Sequence, residues 1–300
     1  MKIGITIPNH FGIEDPQDML RFGPMAEELG FDSIWVMDHL LHAGFVAERL
    51  GDKPYYHPLT TLSYLSALTK RVELGTSILV LPYHNPIEMA KYFATLDQFS
   101  GGRVILGIGA GELEEEFHAL GVPRHERGAL TNEGLALMKE FWSSDEPRVR
   151  SKNWRICGMK FTPKPKRQPR LPVLIGGSSP GAMKRTAKLG DGWHPTATEV
   201  SPQQYQTARV SIESDALAAG RLPSDLTWTI RIEVAENGVT DVIGIDKQAC
   251  AIDQLIEAVD AYKNVGVTHV VIALGFGDVR RITEMMQTIS ENLVGRKADV

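Results

Sequence analysis

The chain reads as an α/β protein, a (β/α)8 TIM barrel with an insertion before the fifth strand. Three observations lead there. Short β-branched runs alternate with helical patterns along almost all of the 300 residues, the rhythm of repeated βα units around a parallel sheet. The alternation yields eight strand segments, the number that closes a barrel rather than leaving an open sheet. Glycines stand between a helical pattern and the next strand at Gly30, Gly190 and Gly266, where left-handed helix caps are expected.

The first strand, residues 3–7, begins almost at the N-terminus. The second, 33–37, is a run fit for burial. The third, 72–81, is long for a barrel strand and carries small polar residues in its middle, where a bulge would push backbone into the barrel mouth. Residues 104–108 and 172–175 form the fourth and fifth, each followed by glycine. The sixth, Gly192–His194, is very short, and 227–234 and 268–274 complete the set. The helices between them are amphipathic. Ile252, Leu255, Ile256, Val259 and Tyr262 share one helical face, as do Ile282, Met285, Met286, Ile289 and Leu293. The rhythm breaks at about residues 143–170, where 160–170 is basic and proline-rich and cannot be a regular helix. We take that stretch as an insertion or extended crossover, its charges either drawing an anionic ligand tail or simply solvated. One domain covering residues 1–300 suffices.

Composition excludes several classes of function. At 43% hydrophobic the chain can bury a sizeable core. A net charge of -5, with acids and bases mixed throughout, argues against nucleic-acid binding. Cys157 and Cys250 are far apart and have no neighbours at metal-ligand spacing, which suggests a reducing compartment and no structural zinc. The N-terminus reads as a strand rather than a signal peptide, and no run approaches the ~20 apolar residues of a membrane span. A cytoplasmic protein without membrane or nucleic-acid partners is the expectation.

Four segments carry possible chemistry. Residues 33–37 run straight into Asp38-His39, a charge and a proton carrier at the carboxyl end of a strand, where barrel proteins meet their ligands. An isolated Asp-His pair serves as a cap and a local hydrogen bond equally well. After the fourth strand, Gly107-Ile108-Gly109-Ala110-Gly111-Glu112 would let a planar ligand approach the backbone and set a carboxylate over the mouth. It lacks the third glycine of a dinucleotide fingerprint, and a tight turn with a capping glutamate fits as well. After the fifth strand, Gly176-Gly177-Ser178-Ser179-Pro180-Gly181 resembles a helix start able to hold a phosphate, with Lys184 and Arg185 one turn on; a plain helix cap is the other reading. The fourth segment is the bulge expected in the third strand. His10, His84 and His194 follow or end strands and could line a pocket, but no spacing among the histidines supports a metal site.

Together these segments resemble the luciferase-like monooxygenase superfamily, most closely its branch of oxidoreductases using the deazaflavin coenzyme F420. The likeness runs from Met1 to about Leu293 and includes the Asp38-His39 pair, the run from Ala94 to Arg103, the segment Gly107 to Glu112, Glu116 to Pro123, Gly176-Gly177, and Leu189 to Pro195. Flavin-using relatives tend to have Glu-His-His where this chain has Asp38-His39-Leu40, and Gly111-Glu112 looks like the Gly-Glu of F420-dependent sugar-phosphate dehydrogenases. The resemblance implies hydride transfer to or from a small organic substrate. It implies that Asp38 and His39 meet the cofactor and that Ser77-Ile78, at the bulge, forms a non-prolyl cis peptide behind the ring. Gly109, Ala110 and Gly111 would border it, and Gly176, Gly177, Ser178 and Ser179 would take its phosphate. His39 would be the catalytic acid or base, with Glu112 serving a ring or substrate proton. An FMN-dependent monooxygenase on the same scaffold, fed by a separate reductase, is the alternative. The loops expected to select the substrate follow the first, second and last strands: 10–11, with His10 and Phe11; 42–56, with Phe45, Tyr55 and Tyr56; and 275–281, where Arg280 and Arg281 could meet an anion although a solvated helix start is the commoner explanation. Relatives of this kind are often homodimers.

Overall fold

Parallel strands alternate with helices until the last strand meets the first. The computed structural model describes residues 1–167, 170–235, 238–239 and 251–295. Its barrel strands are β1 (Lys2–Thr6), β2 (Ser33–Val36), β3 (Glu73–Thr76), β4 (Val104–Gly109), β5 (Val173–Gly176), β6 (Gly192–His194), β7 (Thr227–Ala235) and β8 (His269–Leu274). Each pairs in parallel with the next, and β8 pairs with β1 in the register Lys2↔His269 to Ile5↔Ile272, which closes the barrel. All eight expected segments form strands. The third is shorter than its pattern suggested: it stops at Thr76, and the chain resumes pairing only at Leu79–Val80, against Ile108 and Gly109 of β4. Between the two pieces lies the Ser77-Ile78 peptide bond, which is cis.

The strands are buried on both faces because helices cover the outside and side chains fill the inside. The outer layer packs Phe22, Phe93, Leu135 and Met138 against the backs of the strands. Inside, Trp35, Ile105, Leu174 and Val271 form a separate plug. Trp35 dictates its neighbours: a Cβ at Gly75 would lie 2.2 Å from its ring, and one at Gly4 would strike Ser33, Trp35 and His269. The plug is the floor beneath the barrel mouth.

Gly30 and Gly266 adopt the expected positive φ, at 81° and 89°. Gly190 does not. It is extended, at φ -80°, and is required instead by close approach, since a Cβ there would sit 2.6 Å from Cγ1 of Ile175. The helix Ala251–Asn264 buries Leu255, Val259 and Tyr262 as its pattern predicts, while Ile252 and Ile256 are only half-buried. Val279–Ile289 buries Ile282, Met286 and Ile289, and Leu293 follows in a π-turn.

The stretch before β5 contains a small antiparallel ladder, Val149–Arg150 with Arg155–Ile156, followed by irregular chain. Lys160, Lys166 and Arg170 are exposed, whereas Lys164 and Arg167 are tied into the protein. Nζ of Lys164 donates to the carbonyls of Phe141 and Ser144; the Arg167 guanidinium donates to the carbonyl of Gly102 and to Glu73, and its backbone amide to Asp97. They strap the segment to the barrel's own helices. Cys157 is exposed and unpaired; Cys250 lies outside the described residues. Among the described residues no helix is long and apolar enough to cross a membrane.

Candidate active site

A cavity of about 870 Å³ opens at the carboxyl ends of the strands. Asp38, His39, Ser77, Ile78, Gly109, Ala110, Gly111, Glu112, Gly176, Gly177, Ser178 and Ser179, which sequence reasoning had drawn from four separate segments, all line it.

One wall is built on β2 and the segment after it. Buried Asn9 stitches the loop ends together, donating to the carbonyls of Met37 and Tyr56 and accepting from the Met37 amide at 3.0 Å. The side chain of Asp38 is fully buried. Its Oδ2 accepts from the Val80 amide at 2.9 Å and pairs with Nε2 of His84 at 2.8 Å, while Oδ1 has no hydrogen-bond partner. Asp38 therefore ties β2 to the resumed third strand, and His84 stands behind it rather than lining the cavity.

His39 is held by a residue that sequence reasoning gave no role. Its Nδ1 lies 2.7 Å from Oε2 of Glu116, whose other oxygen accepts from the amides of Leu40 at 2.7 Å and Leu41 at 3.1 Å. Burial pushes the Glu116 carboxyl up, but the hydrogen bonds from His39, Leu40 and Leu41 outweigh it and hold the group below the usual carboxylate range. An ionised Glu116 makes Nδ1 of His39 the protonated nitrogen, so Nε2 is left to the cavity. The rings of Phe45 and Tyr55 present their edges to His39 at 5.4 and 6.0 Å.

The back of the cavity is Ser77 and Ile78. Oγ of Ser77 lies 2.8 Å from Nε2 of His194, whose Nδ1 lies 2.6 Å from Oγ1 of Thr229. Thr229 spends its only hydroxyl proton on the carbonyl of Trp193, at 2.8 Å, so it must accept from Nδ1–H. Nε2 then accepts the Ser77 proton, and Ser77 turns lone pairs, not a proton, toward the cavity. Burial, with the charges of Arg231 and His269, pushes His194 down to about 3, so this chain stays neutral at working pH. The flanking glycines meet a demand beyond the expected one. A Cβ at Gly109 would lie 2.4 Å from Cδ1 of Ile78, and one at Gly176 2.8 Å from its Cγ2. They make room for the Ile78 side chain, which is how Ile78 can sit in the wall.

At one end of the cavity two helices begin, Arg127–Ser143 and Pro180–Leu189, with Arg127, Gly128 and Arg185 facing in. Ser179 caps its helix by accepting from the Ala182 amide at 3.2 Å, and Arg185 is steadied by Asn132 at 2.6 Å and the carbonyl of Gly128 at 3.1 Å. Lys184, expected to add charge here, is exposed and does not line the cavity. Glu112 sits exposed at the rim, its carbonyl accepting from Arg124 at 3.1 Å.

The remaining wall comes from the ends of β1 and β7 with the helix Gly44–Leu50, and presents His10, Arg49, Tyr55, Arg231 and Glu233. Burial, then the cations Arg49 and Arg231, pushes the His10 imidazole well below its ordinary range; burial and Asp38 push the Tyr55 phenol up. Among the loops expected to select substrate, Phe45 and Tyr55 arrive. Tyr56 instead donates to the carbonyl of Glu14 at 2.8 Å, and residues 275–281 do not line the cavity. Arg280 pairs with Glu284, and Arg281 stacks on Phe276 at 4.6 Å. Among the described residues no group of three His, Cys, Asp or Glu is placed to hold a metal.

A closed parallel barrel with a deep ligand cavity at its carboxyl mouth defines the class. Within it the chain belongs to the luciferase-like monooxygenase family, whose profile matches residues 1–241. It is 32% identical over 227 residues to the F420-dependent glucose-6-phosphate dehydrogenase of Amycolatopsis mediterranei, a match covering 73% of this chain and 65% of that relative. The chain thus spans just under two thirds of that relative's length. An F420-dependent secondary alcohol dehydrogenase in complex with an F420–acetone adduct superimposes with a TM-score of 0.80 at 21% identity, over 97% of this chain and 98% of that one. The monooxygenase RslO1 from Streptomyces bottropensis does so with the same score and identity, over 99% and 100%. At such identity these two likenesses speak for the fold alone.

Proposed function

We propose that this protein is a coenzyme F420-dependent oxidoreductase, moving a hydride between the deazaflavin and a small organic substrate. The observation that carries the reading is His39, fixed by Glu116 at Nδ1 and offering Nε2 to a cavity backed by Ser77 and Ile78. The F420-dependent relatives support the choice of cofactor.

The residues present fit that group. Ile78 with Gly109, Ala110 and Gly111 makes a flat wall of small and apolar groups for a planar ring, and the orphaned Oδ1 of Asp38 and the lone pairs of Ser77 are acceptors for its edge. Gly177, Ser178 and Ser179, with Arg127, Arg185 and two helix starts, suit a phosphate-bearing tail. When bound, the deazaflavin supplies a carbon that carries the hydride. The chain's own part is proton management and positioning. Nε2 of His39 takes a proton from, or returns one to, the substrate oxygen, and Glu116 fixes the tautomer and stabilises the imidazolium. Phe45 and Tyr55 restrict water around that nitrogen. Glu112, at the rim, is placed to exchange a second proton with solvent. The same reading takes the protein as a cytoplasmic homodimer served by a separate F420-reducing enzyme.

Titration of the purified protein with coenzyme F420 and separately with FMN, followed by intrinsic tryptophan fluorescence, tests the proposal. Micromolar or tighter binding of F420 without an FMN response is expected. Binding of FMN alone would overturn it in favour of flavin-dependent oxygenation.

A further inference from the structure

The wall formed by β1, β7 and Arg49 takes no part in the chemistry assigned to His39, yet it holds unspent hydrogen-bonding capacity. Nδ1 of His10, the hydroxyl of Tyr55 and Nε of Arg231 are buried and have no hydrogen-bond partner. Three such atoms on one side of one cavity are costly in a protein alone and are relieved when a ligand meets them. The groups are close neighbours: the ring of Tyr55 lies 6.1 Å from that of His10, and the Arg49 guanidinium sits 4.8 Å from the ring of Phe11, itself 4.3 Å from His10.

We propose that this wall is a substrate subsite for a carboxylate, and that the substrate is a small, apolar-bodied carboxylic acid carrying the reacting alcohol or carbonyl. The assignment of the reacting group rests on the function proposed above; the carboxylate subsite rests on the wall itself. Two of the orphaned atoms, the Tyr55 hydroxyl and Nε–H of Arg231, are donors, which is what an oxyanion needs. Charge selects among oxyanions. Arg49 and Arg231 bring two positive charges, Glu233 (3.5 Å from Arg231) and then Glu199 offset part of them at Arg231, and His10 is neutral. The remainder matches a monoanion better than a phosphate dianion. Phe11, Phe45 and Tyr55 supply aromatic surface for an apolar body. Asp38 is felt at Tyr55 and Glu112 at Arg231, so an anion is held only where the two arginines and the two orphaned donors outweigh them, which disfavours a second negative charge. Tyr55 spans both regions, 6.0 Å from His39 and 6.1 Å from His10 by ring centres, which leaves a short spacing between the carboxylate and the carbon that reacts.

The test is calorimetric titration with benzoate, benzamide and phenyl phosphate, with and without saturating coenzyme F420. Benzoate is expected to bind about tenfold or more tightly than either of the others. Arg49→Gln, at an exposed rim position, should reduce the preference over benzamide to about twofold while leaving F420 affinity unchanged. Arg231→Met is the second variant and should do the same. Equal binding of benzoate and benzamide would overturn the proposal, as would a preference for phenyl phosphate. Loss of benzoate binding on saturation with F420 would also overturn it, by assigning the wall to the cofactor's tail. If F420 fails to bind while the benzoate pattern holds, the subsite stands and the cofactor reading falls.

Discussion

The two walls of the cavity are built from similar residue types and finished differently. On the β2 side every carboxylate oxygen of Asp38 and Glu116 is bonded except Oδ1 of Asp38, and each imidazole has its acid: His84 with Asp38, His39 with Glu116. On the β1–β7 side a histidine, a tyrosine and an arginine keep buried polar atoms without partners. A satisfied network is rigid and holds its groups in one tautomer before any ligand arrives. An unsatisfied one is less stable alone and gains when filled. The first wall is machinery; the second is a receptor. Changes on the first should cost turnover or stability outright, and changes on the second should show mainly in what binds.

The largest effect is expected at His39. His39→Ala should lower turnover about 10²–10⁴-fold while changing F420 affinity far less, as steady-state rates and fluorescence titration would show. Equal losses in both would break the assignment of His39 as a proton carrier. Glu116→Gln keeps the shape but removes the charge that stabilises the imidazolium, so it should share the loss in turnover. Next is Asp38→Ala, which strands the Val80 amide and His84 in a buried setting. Denaturant unfolding should register a loss of about 3 kcal/mol.

How far these walls were legible in the sequence follows from the distances involved. All eight strands were: seven contain β-branched residues in a local run punctuated by glycine or a turn, while the sixth, Gly192-Trp193-His194, has none and showed only as a short apolar step in the βα rhythm. A bulge in the third strand was suggested by its length and polar middle, but the cis peptide at Ser77-Ile78 was expected only through family resemblance, since the alternation of residues is the same for either isomer. Glu116 went unrecognised because its partner lies 77 residues away and because Glu114-Glu115-Glu116 looks like an ordinary acidic first turn. At Gly109 and Gly176 a further demand was invisible in the sequence: their missing side chains also make room for Ile78. Arg231 did leave a signal. In β7 the polar residues Thr229, Arg231 and Glu233 recur every second position, the spacing of one strand face, and a charge on an inward face marks a cavity. In 275–281 the two adjacent arginines allowed an anion site or a solvated helix start, and the second holds: Arg280 pairs along its exposed helix and Arg281 covers Phe276, though the loop was also expected to line the cavity and does not.

The β1–β7 wall and the back of the cavity behind Ser77 should also respond differently to acid. His10 and His194 are both buried with lowered pKa values, so each stays neutral when folded while its unfolded counterpart binds a proton. Their contribution is present above about pH 6.5 and is lost as pH falls toward the folded value, about 3 for His194, at up to about 1.4 kcal/mol per pH unit for each group. Benzoate at the β1–β7 wall places a negative charge by His10 and favours its protonated form, so it should flatten that part of the slope. His194 is enclosed by Ser77 and Thr229, and its share should remain. A slope indifferent to benzoate would remove His10 from the receptor wall.

The smallest effect separates the walls most sharply. Tyr55→Phe removes a buried hydroxyl that bonds to nothing in the protein and keeps the ring that packs beside His39 and His10. Deleting a bonded hydroxyl ordinarily costs about 1 kcal/mol; deleting an orphan relieves a desolvation penalty instead. Stability should therefore hold or rise by up to about 1 kcal/mol in denaturant unfolding, with benzoate binding weakened severalfold. The opposite signs are the point: a group that destabilises the empty protein and strengthens its complex is kept for the ligand. If Tyr55→Phe lowered stability by as much as Asp38→Ala, the hydroxyl would be part of the framework, and the two walls would not differ in kind.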